Sequence, residues 1–239
     1  MTSRNGREKP PVSLVGSDAD VAFYRRQLAQ LGQPALILGC ANGRLAWELC
    51  AELPSVVGVD PSPAMIAFAE GERAQRPPEI AGRVRFLSAD LRSLRLADRF
   101  GSVLAPHNVL ALMPSVLDLE AVIATARHHL LPGGLLVFDA VNPRRGSAPG
   151  AESERNSSSL DSWTPRSAFA PHLRERRRTG HAPGEGIRRL RLRQFFPLEF
   201  DAALQSGGFV ATARYGRYDE KPFDPDDPLQ IVVASLRDE

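Results

Sequence analysis

Short apolar runs alternate with amphipathic stretches over the first 143 residues of the chain. Apolar residues recur at helical spacing in one kind of segment, as at Val21, Tyr24, Leu28 and Leu31, and lie side by side in the other kind. The pattern predicts helices over 18–31, 44–52, 63–71 and 117–131 and strands over 34–38, 55–59, 84–88, 101–105 and 135–140. Such alternation is typical of an α/β fold, a parallel sheet covered by helices on both faces.

The pattern changes after Asn142-Pro143. Residues 144–161 are rich in Ser, Gly, Pro and Glu, which predicts an exposed loop, and the arginine-rich stretch at 163–193 fits short antiparallel strands over the sheet. A helix at 197–205 and strands at 209–215 and 229–236 are predicted to close the chain. Because a loop joins these two strands, one of them should run antiparallel to the rest. We therefore expect a flexible segment at 1–17, one domain built from 18–143 and 195–239, and an inserted β-rich cap at 144–194.

Composition limits the classes of protein that the chain can represent. The 239 residues, 43% of them apolar, suit one domain with an elaboration, and a net charge of +2 gives no strong argument for nucleic acid or a membrane surface. The two cysteines, Cys40 and Cys50, do not form the pattern of a secreted disulfide framework. The polar N-terminus lacks the apolar segment of a signal peptide, and no apolar run has transmembrane length. We expect a cytoplasmic protein, and no metal site is predicted.

Candidate binding residues follow the ends of four predicted strands. A glycine turn follows the first strand, and a carboxylate ends the second about 20 residues further on, which is the arrangement that holds a nucleoside ribose in doubly wound folds. The four strand ends are Gly39-Cys40-Ala41-Asn42-Gly43, Asp60, Ser88-Ala89-Asp90 and Ala105-Pro106-His107-Asn108. The turn allows a ligand close to the backbone, Asp60 can accept hydrogen bonds from a ribose diol, and Asp90 can accept one from an adenine amino group.

Five motifs in this order resemble those of the class I S-adenosylmethionine-dependent methyltransferases, of the small-molecule, methyltransferase domain 25-like type. They are the glycine motif Leu36–Gly43, the ribose motif Val57–Ser62, the adenine motif Phe86–Leu91, the helix-to-strand turn Leu131–Asp139 and the start of a sixth strand at Gly207–Val210. The resemblance covers 18–143 and 195–237. It implies a Rossmann-like, seven-stranded, mostly parallel sheet with one antiparallel strand.

The resemblance also implies a cofactor and a reaction. The cofactor is S-adenosylmethionine, and the reaction is methyl transfer to O, N or C of a small molecule. The glycine turn would hold the methionyl part of the cofactor, Asp60 the ribose and Asp90 the adenine. The full set of cofactor-binding candidates is Gly39, Cys40, Ala41, Gly43, Asp60, Pro61, Met65, Asp90, Leu91 and Pro106.

Two residues of the glycine turn depart from the family pattern. The family usually has an acidic residue at the position of Ile37, near the methionine amino group, and a second glycine at the position of Ala41. In one interpretation a backbone carbonyl and water replace the missing acid. In the other, the chain binds an adenosyl ligand but catalyses a non-methylating reaction or acts as a binding module.

The segment after the fourth strand supplies the catalytic candidate. In this family that position often borders the methyl-transfer centre, so His107 could act as a general base, which is worth about 10²–10⁴-fold in rate. The alternative is that His107 only packs against the ligand or hydrogen-bonds to the backbone. Candidate substrate contacts are Tyr24, Asn108, Asn142 and Arg193. Tyr24 could equally be a core residue, and Asn142 could simply cap a turn.

Arginines are concentrated at 174–193. They could bind an anionic acceptor, or RNA phosphates in an RNA-directed methyltransferase, or simply form a solvated strand face. Aromatic residues for base stacking are not interleaved with them, which disfavours nucleic acid. A small-molecule acceptor is therefore the expected partner, with no membrane, and a homodimer is left open.

Overall fold

The computed structural model describes residues 18–143 and 188–237, together with strand segments at 164–165 and 173–178, and only the backbone is described over 164–165, 173–178 and 188–191. The helices are α1 Asp18–Leu28, α2 Arg44–Leu49, α3 Pro63–Gly71, α4 Pro78–Ala81, α5 Val116–His129 and α6 Pro197–Ser206. The strands are β1 Ala35–Leu38, β2 Val56–Asp60, β3 Val84–Ser88, β4 Phe100–Ala105, β5 Leu130–Val141, β6 Thr164–Pro165, β7 Leu173–Arg178, β8 Arg188–Arg193, β9 Phe209–Tyr215 and β10 Leu229–Leu236. Single turns of 3-10 helix lie at Arg73–Gln75 and Val109–Leu112.

Seven strands form the central sheet in the order β3-β2-β1-β4-β5-β10-β9. Strands β1 to β5 are parallel to one another, and β10 runs antiparallel to both β5 and β9. The predicted fold, with one antiparallel strand among the last two, is confirmed. Its order reverses between β1 and β4, so the carboxyl ends of these two strands border the crevice in which open α/β sheets bind ligands.

Strands β1, β2 and β4 are buried on both faces, as expected for parallel strands that form continuous apolar runs. In β1, Leu36 and Leu38 belong to the core cluster that also holds side chains of α5 and α6. The alternate residues Ala35 and Ile37 belong to the cluster with side chains of α1 and α2. The period-2 alternation of a strand therefore assigns Ile37 to the face that α1 covers.

Several elements begin or end at residues other than those predicted. Helices α1 and α2 end at Leu28 and Leu49, before the predicted ends at 31 and 52. Strand β5 begins at Leu130, so the Pro132-Gly133-Gly134 turn, predicted to separate helix from strand, lies inside β5. Gly133 has a φ of +74°, and the pairing between β4 and β5 shifts register there. Extended pairing beside this irregularity prevailed over the turn signal of the local sequence.

A second, three-stranded sheet has the order β6-β7-β8, with antiparallel pairing throughout. The backbone of β8 lies beside the 3-10 helix at Val109–Leu112, which follows β4. After β8, Phe195 returns to the main core, where its carbonyl accepts a buried hydrogen bond of 2.8 Å from Gln230 Nε2. Whether 144–194 acts as a cap stays a prediction. Within the part of the chain that the structure describes, no helix is long and apolar enough to cross a membrane.

Candidate active site

The turn after β1 adopts a left-handed backbone at three positions. The φ values are +75° at Gly39, +49° at Ala41 and +78° at Gly43. A Cβ on Gly43 would lie 2.6 Å from the Phe86 ring, and a Cβ on Gly39 would lie 2.2 Å from a Val109 methyl group. Both glycines are thus required by conformation and by packing together. Ala41 adopts the same conformation at an energetic cost that its neighbours must offset.

Asp60 connects the turn to the end of β2. Its Oδ2 accepts the Ala41 N–H at 2.9 Å and its Oδ1 accepts the Ser62 N–H at 2.9 Å. The carboxylate is 9% exposed, and each oxygen retains a lone pair for a further donor. The hydrogen bond from Ala41 explains how a residue other than glycine is held at this position. The placement suits the ribose diol predicted for Asp60.

The loop after β3 places Asp90 and Leu91 differently. Leu91 is buried in the core, whereas Asp90 is exposed and accepts the Arg92 N–H at 2.9 Å and the Arg92 guanidinium at 2.6 Å. Hydrogen bonds from the Arg92 side chain lower the pKa of Asp90 to about 2. Asp90 is therefore an ionised acceptor already engaged by arginine, and an adenine amino group would have to share it.

The remaining cofactor candidates surround the turn. Burial raises the pKa of the Cys40 thiol, with the nearby Asp60 charge adding to the effect, so Cys40 is not poised as a nucleophile. Met65 is half-buried in the first turn of α3, where its N–H donates to Ser62 Oγ at 3.4 Å. Pro61 is exposed and Pro106 is buried. Their contacts with a cofactor stay predictions.

The segment after β4 contains two consecutive residues with positive φ that are not glycine. His107 and Asn108 both have a φ of +58°. The two carboxylate oxygens of Asp139, at the end of β5, accept their N–H groups at 2.9 Å each, and Asp139 Oδ2 also accepts the Tyr24 hydroxyl at 2.8 Å. Asn108 Oδ1 in turn accepts the Val141 N–H at 3.0 Å. Asp139 thus fixes the backbone that carries His107.

The His107 side chain contacts two residues that the sequence interpretation did not select. His107 Nε2 lies 2.5 Å from Asp20 Oδ2, and Arg44 Nη2 lies 2.5 Å from the same oxygen. Arg44 Nη2 is also 3.0 Å from His107 Nε2. Asp20 is fully buried, which by itself raises its pKa, but hydrogen bonds from His107 and Arg44 outweigh burial and lower it. One signal was available: Asp20 precedes Tyr24 by four positions and so shares its core-facing side of α1.

The structure brings some predicted substrate residues together and separates others. Tyr24 and Asn108 meet at Asp139, with Tyr24 fully buried. Asn142 Nδ2 instead donates to the carbonyls of Pro225 and Asp227 at 2.8 and 2.9 Å, which anchors the loop before β10. Arg193 pairs with Glu199 at 2.8 Å, and its guanidinium lies over the Phe195 ring. Contact of these four residues with substrate stays a prediction.

Ile37 is a core residue of the central sheet. It pairs with Gly58 of β2 and Leu104 of β4, and its side chain is fully buried in the cluster that contains Tyr24. Position 37 therefore holds no acid, and besides Asp60 of β2 the buried carboxylates near this end of the sheet come from α1 and β5, as Asp20 and Asp139.

Comparisons with known proteins agree with this architecture. Residues 35–134 match the family model of a methyltransferase domain. The chain carries a methyltransferase domain. Its fold is shared by solved structures that include S-adenosylmethionine-dependent methyltransferases. A comparison with curated proteins found no match.

Solved structures show the same fold over nearly the whole chain. The CcbJ methyltransferase from Streptomyces caelestis aligns with 96% of this chain and 100% of its own, at 22% identity and a TM-score of 0.75. The glycopeptide N-methyltransferase MtfA in complex with S-adenosyl-L-methionine aligns with 99% of this chain and 100% of its own, at 19% identity and a TM-score of 0.66. CalS10 from Micromonospora echinaspora, an amino pentose methyltransferase of calicheamicin biosynthesis, aligns with 92% of this chain and 90% of its own, at 22% identity and a TM-score of 0.58. At these identities the likeness shows the fold of the methyltransferase domain.

Proposed function

We propose that this chain transfers a methyl group from S-adenosylmethionine to an oxygen, nitrogen or carbon atom of a small molecule. One observation carries the proposal. The glycine turn is joined to the carboxylate predicted to bind the ribose, because the Ala41 N–H donates to Asp60 at 2.9 Å. The glycine turn of this junction follows β1, which borders the point where the strand order reverses and where open α/β sheets bind nucleotides.

Each part of the cofactor has a proposed partner. The backbone of Gly39–Gly43 lies against the methionyl part, Asp60 accepts hydrogen bonds from the ribose hydroxyls, and Asp90 with Leu91 faces the adenine. Methyl transfer requires mainly that nucleophile, methyl carbon and sulfur be aligned with water excluded. The residues after β4 and the inserted segment at 144–194 then shape the acceptor site.

The small-molecule class of the acceptor is supported by the similar structures. One is named as a glycopeptide N-methyltransferase and another as an amino pentose methyltransferase. The RNA-directed alternative depends on the arginines at 174–191, whose side chains lie outside the described residues. Affinity for RNA that does not fall as salt rises would count against that alternative.

Calorimetry of the full chain with S-adenosylmethionine and S-adenosylhomocysteine tests the cofactor. We expect the wild type to bind the cofactor and Asp60→Asn to weaken its affinity by about tenfold or more. The amide cannot accept both backbone N–H groups and a ribose diol as the carboxylate does. Asp98→Asn is the matched control, since Asp98 forms an exposed ion pair with Arg85, and it should bind as the wild type does. No binding of either ligand at concentrations on the order of millimolar would contradict the proposal.

A second experiment separates methyl transfer from simple binding. The departures at Ile37 and Ala41 are the reason for considering an adenosyl-binding protein that does not methylate. Incubation with S-adenosylmethionine and a panel of amino sugars, amino acids and phenols should release S-adenosylhomocysteine with one acceptor class. Tight cofactor binding without any such release, across the panel, would favour the non-methylating alternative.

A further inference from the structure

Three elements distant in sequence converge on His107. Asp20 of α1 and Arg44 of α2 contact its ring, and Asp139 of β5 accepts its backbone N–H. The Asp20 side chain is fully buried, with 0% of its surface exposed. Burying a carboxylate costs free energy unless the carboxylate is paired. The chain therefore maintains a buried charge whose partners are Arg44 and His107.

The backbone that presents His107 is strained. His107 and Asn108 both have a φ of +58°, a conformation that costs roughly 1–2 kcal/mol for each residue that is not glycine. Asp139 offsets this cost with one oxygen for each N–H, and Tyr24 holds Asp139 in turn. Strain of this kind persists where the surrounding structure over-determines it, and it concentrates at functional sites.

The contacts determine which ring nitrogen carries the proton. Ionised Asp20 can only accept, so the 2.5 Å contact requires His107 Nε2 to donate its N–H to Oδ2. Arg44 donates to the same oxygen, and the 3.0 Å between Arg44 Nη2 and His107 Nε2 separates two donors that converge on one acceptor. In neutral His107 the acceptor is then Nδ1, to which none of the described residues donates a hydrogen bond.

We propose that Asp20 is a positioning residue that holds His107 in the Nε2–H tautomer, so that Nδ1 takes the proton of the methyl acceptor. The inference rests on the proposed methyl transfer. It also requires an acceptor that loses a proton, such as a hydroxyl or a protonated amine, because only such a group uses a base.

The step balances in atoms and charge. A lone pair on the acceptor oxygen or nitrogen forms the bond to the methyl carbon, the bond from carbon to sulfur breaks, and the sulfonium becomes the neutral thioether of S-adenosylhomocysteine. The acceptor proton moves to Nδ1, during bond formation for a hydroxyl and before it for a protonated amine, and Asp20 stabilises the resulting imidazolium at Nε2.

Long-range ¹H–¹⁵N correlation spectra of the labelled full chain test the tautomer. We expect His107 with a proton on Nε2 and none on Nδ1, and proton uptake at Nδ1 on acidification. His129 is the internal reference, because its Nδ1 bonds to the Thr125 carbonyl and its Nε2 accepts the Leu96 N–H, both at 2.8 Å, which is the opposite tautomer. Other charged or titratable groups that face the cluster are Asp20, Arg44, Asp139, Tyr24 and Tyr218.

Asp20→Asn should remove the tautomer preference of His107 and leave His129 unchanged, whereas Asp98→Asn should alter neither. A wild-type His107 with its proton on Nδ1, or one unaffected by Asp20→Asn, would overturn the proposal.

In the transfer assay, His107→Gln and Asp20→Asn should lower kcat by about 10²-fold or more while the affinity for S-adenosylhomocysteine stays within about threefold. Equal kcat in the wild type and His107→Gln would overturn the role of the base. If the wild type bound no cofactor, the proposed function would be contradicted instead. The spectra would still decide the tautomer of His107.

Discussion

The two ends of the candidate site are built in different ways. At the end that we propose binds adenosine, the partners lie within about 20 positions along the chain: Asp60 bonds to Ser62 and Ala41, and Asp90 bonds to Arg92. At the acceptor end, Asp20 meets His107 across 87 positions and Tyr24 meets Asp139 across 115. The adenosine end therefore forms sequence motifs that can be recognised along the chain. The acceptor end exists only once α1, β4 and β5 are assembled.

The largest expected effect is at the acceptor end. Asp139→Ala removes the acceptor of three buried donors, namely the Tyr24 hydroxyl and the N–H groups of His107 and Asn108. We expect a loss of roughly 3–5 kcal/mol in the free energy of unfolding, measured by urea denaturation. The control Asp98→Ala, at an exposed ion pair, should stay within about 0.5 kcal/mol of the wild type. Similar losses in the two variants would show that the acceptor end is no more tightly built than the surface.

A smaller effect is expected in the glycine turn. Gly43→Ala meets both a φ of +78° and a Cβ position 2.6 Å from the Phe86 ring. Gly133→Ala is the matched control, because its φ is +74° and no atom lies within 4 Å of the added Cβ. The control should lose about 1–2 kcal/mol for its conformation, and Gly43→Ala about 1–3 kcal/mol more for packing. Equal losses would show that the turn requires glycine for its backbone conformation alone.

The smallest expected effect is on how stability depends on pH and salt, which should differ between Asp20 at the acceptor end and Asp90 at the adenosine end. The pKa is lowered in the folded state for both Asp20 and Asp90, so each contributes stability above the unfolded pKa of about 4 that is lost as pH falls towards the folded value. Asp20 is buried and Asp90 is exposed, so salt should screen only the contribution of Asp90. The free energy of unfolding of Asp20→Asn should change less with pH than that of the wild type, at both low and high salt. For Asp90→Asn the same difference should appear at low salt only. Salt-independent behaviour of Asp90→Asn would contradict this distinction.

The bounds of several helices and strands could be predicted from local sequence patterns. The bounds of α3, β3, β9 and β10 agree with the predicted ranges, because Ser62 and Pro63 begin a helix clearly and β-branched runs between turn residues define strands. The start of β5 could not be predicted this way, since pairing with β4 overrides the turn signal of Pro132-Gly133. Asp20 and Arg44 were missed because their importance comes from a partner on another element.

What the sequence determined by itself is the sheet, its antiparallel strand and the motifs of the adenosine end. These depend on periodicity, on glycine conformation and on interactions within a few residues, all of which are local. Only the tertiary structure placed Ile37 in the core, held His107 and Asn108 in a left-handed conformation with Asp139, and joined Asp20 to His107. The physical reason is that a buried charge and a strained turn are stable only when residues from separate elements satisfy them together.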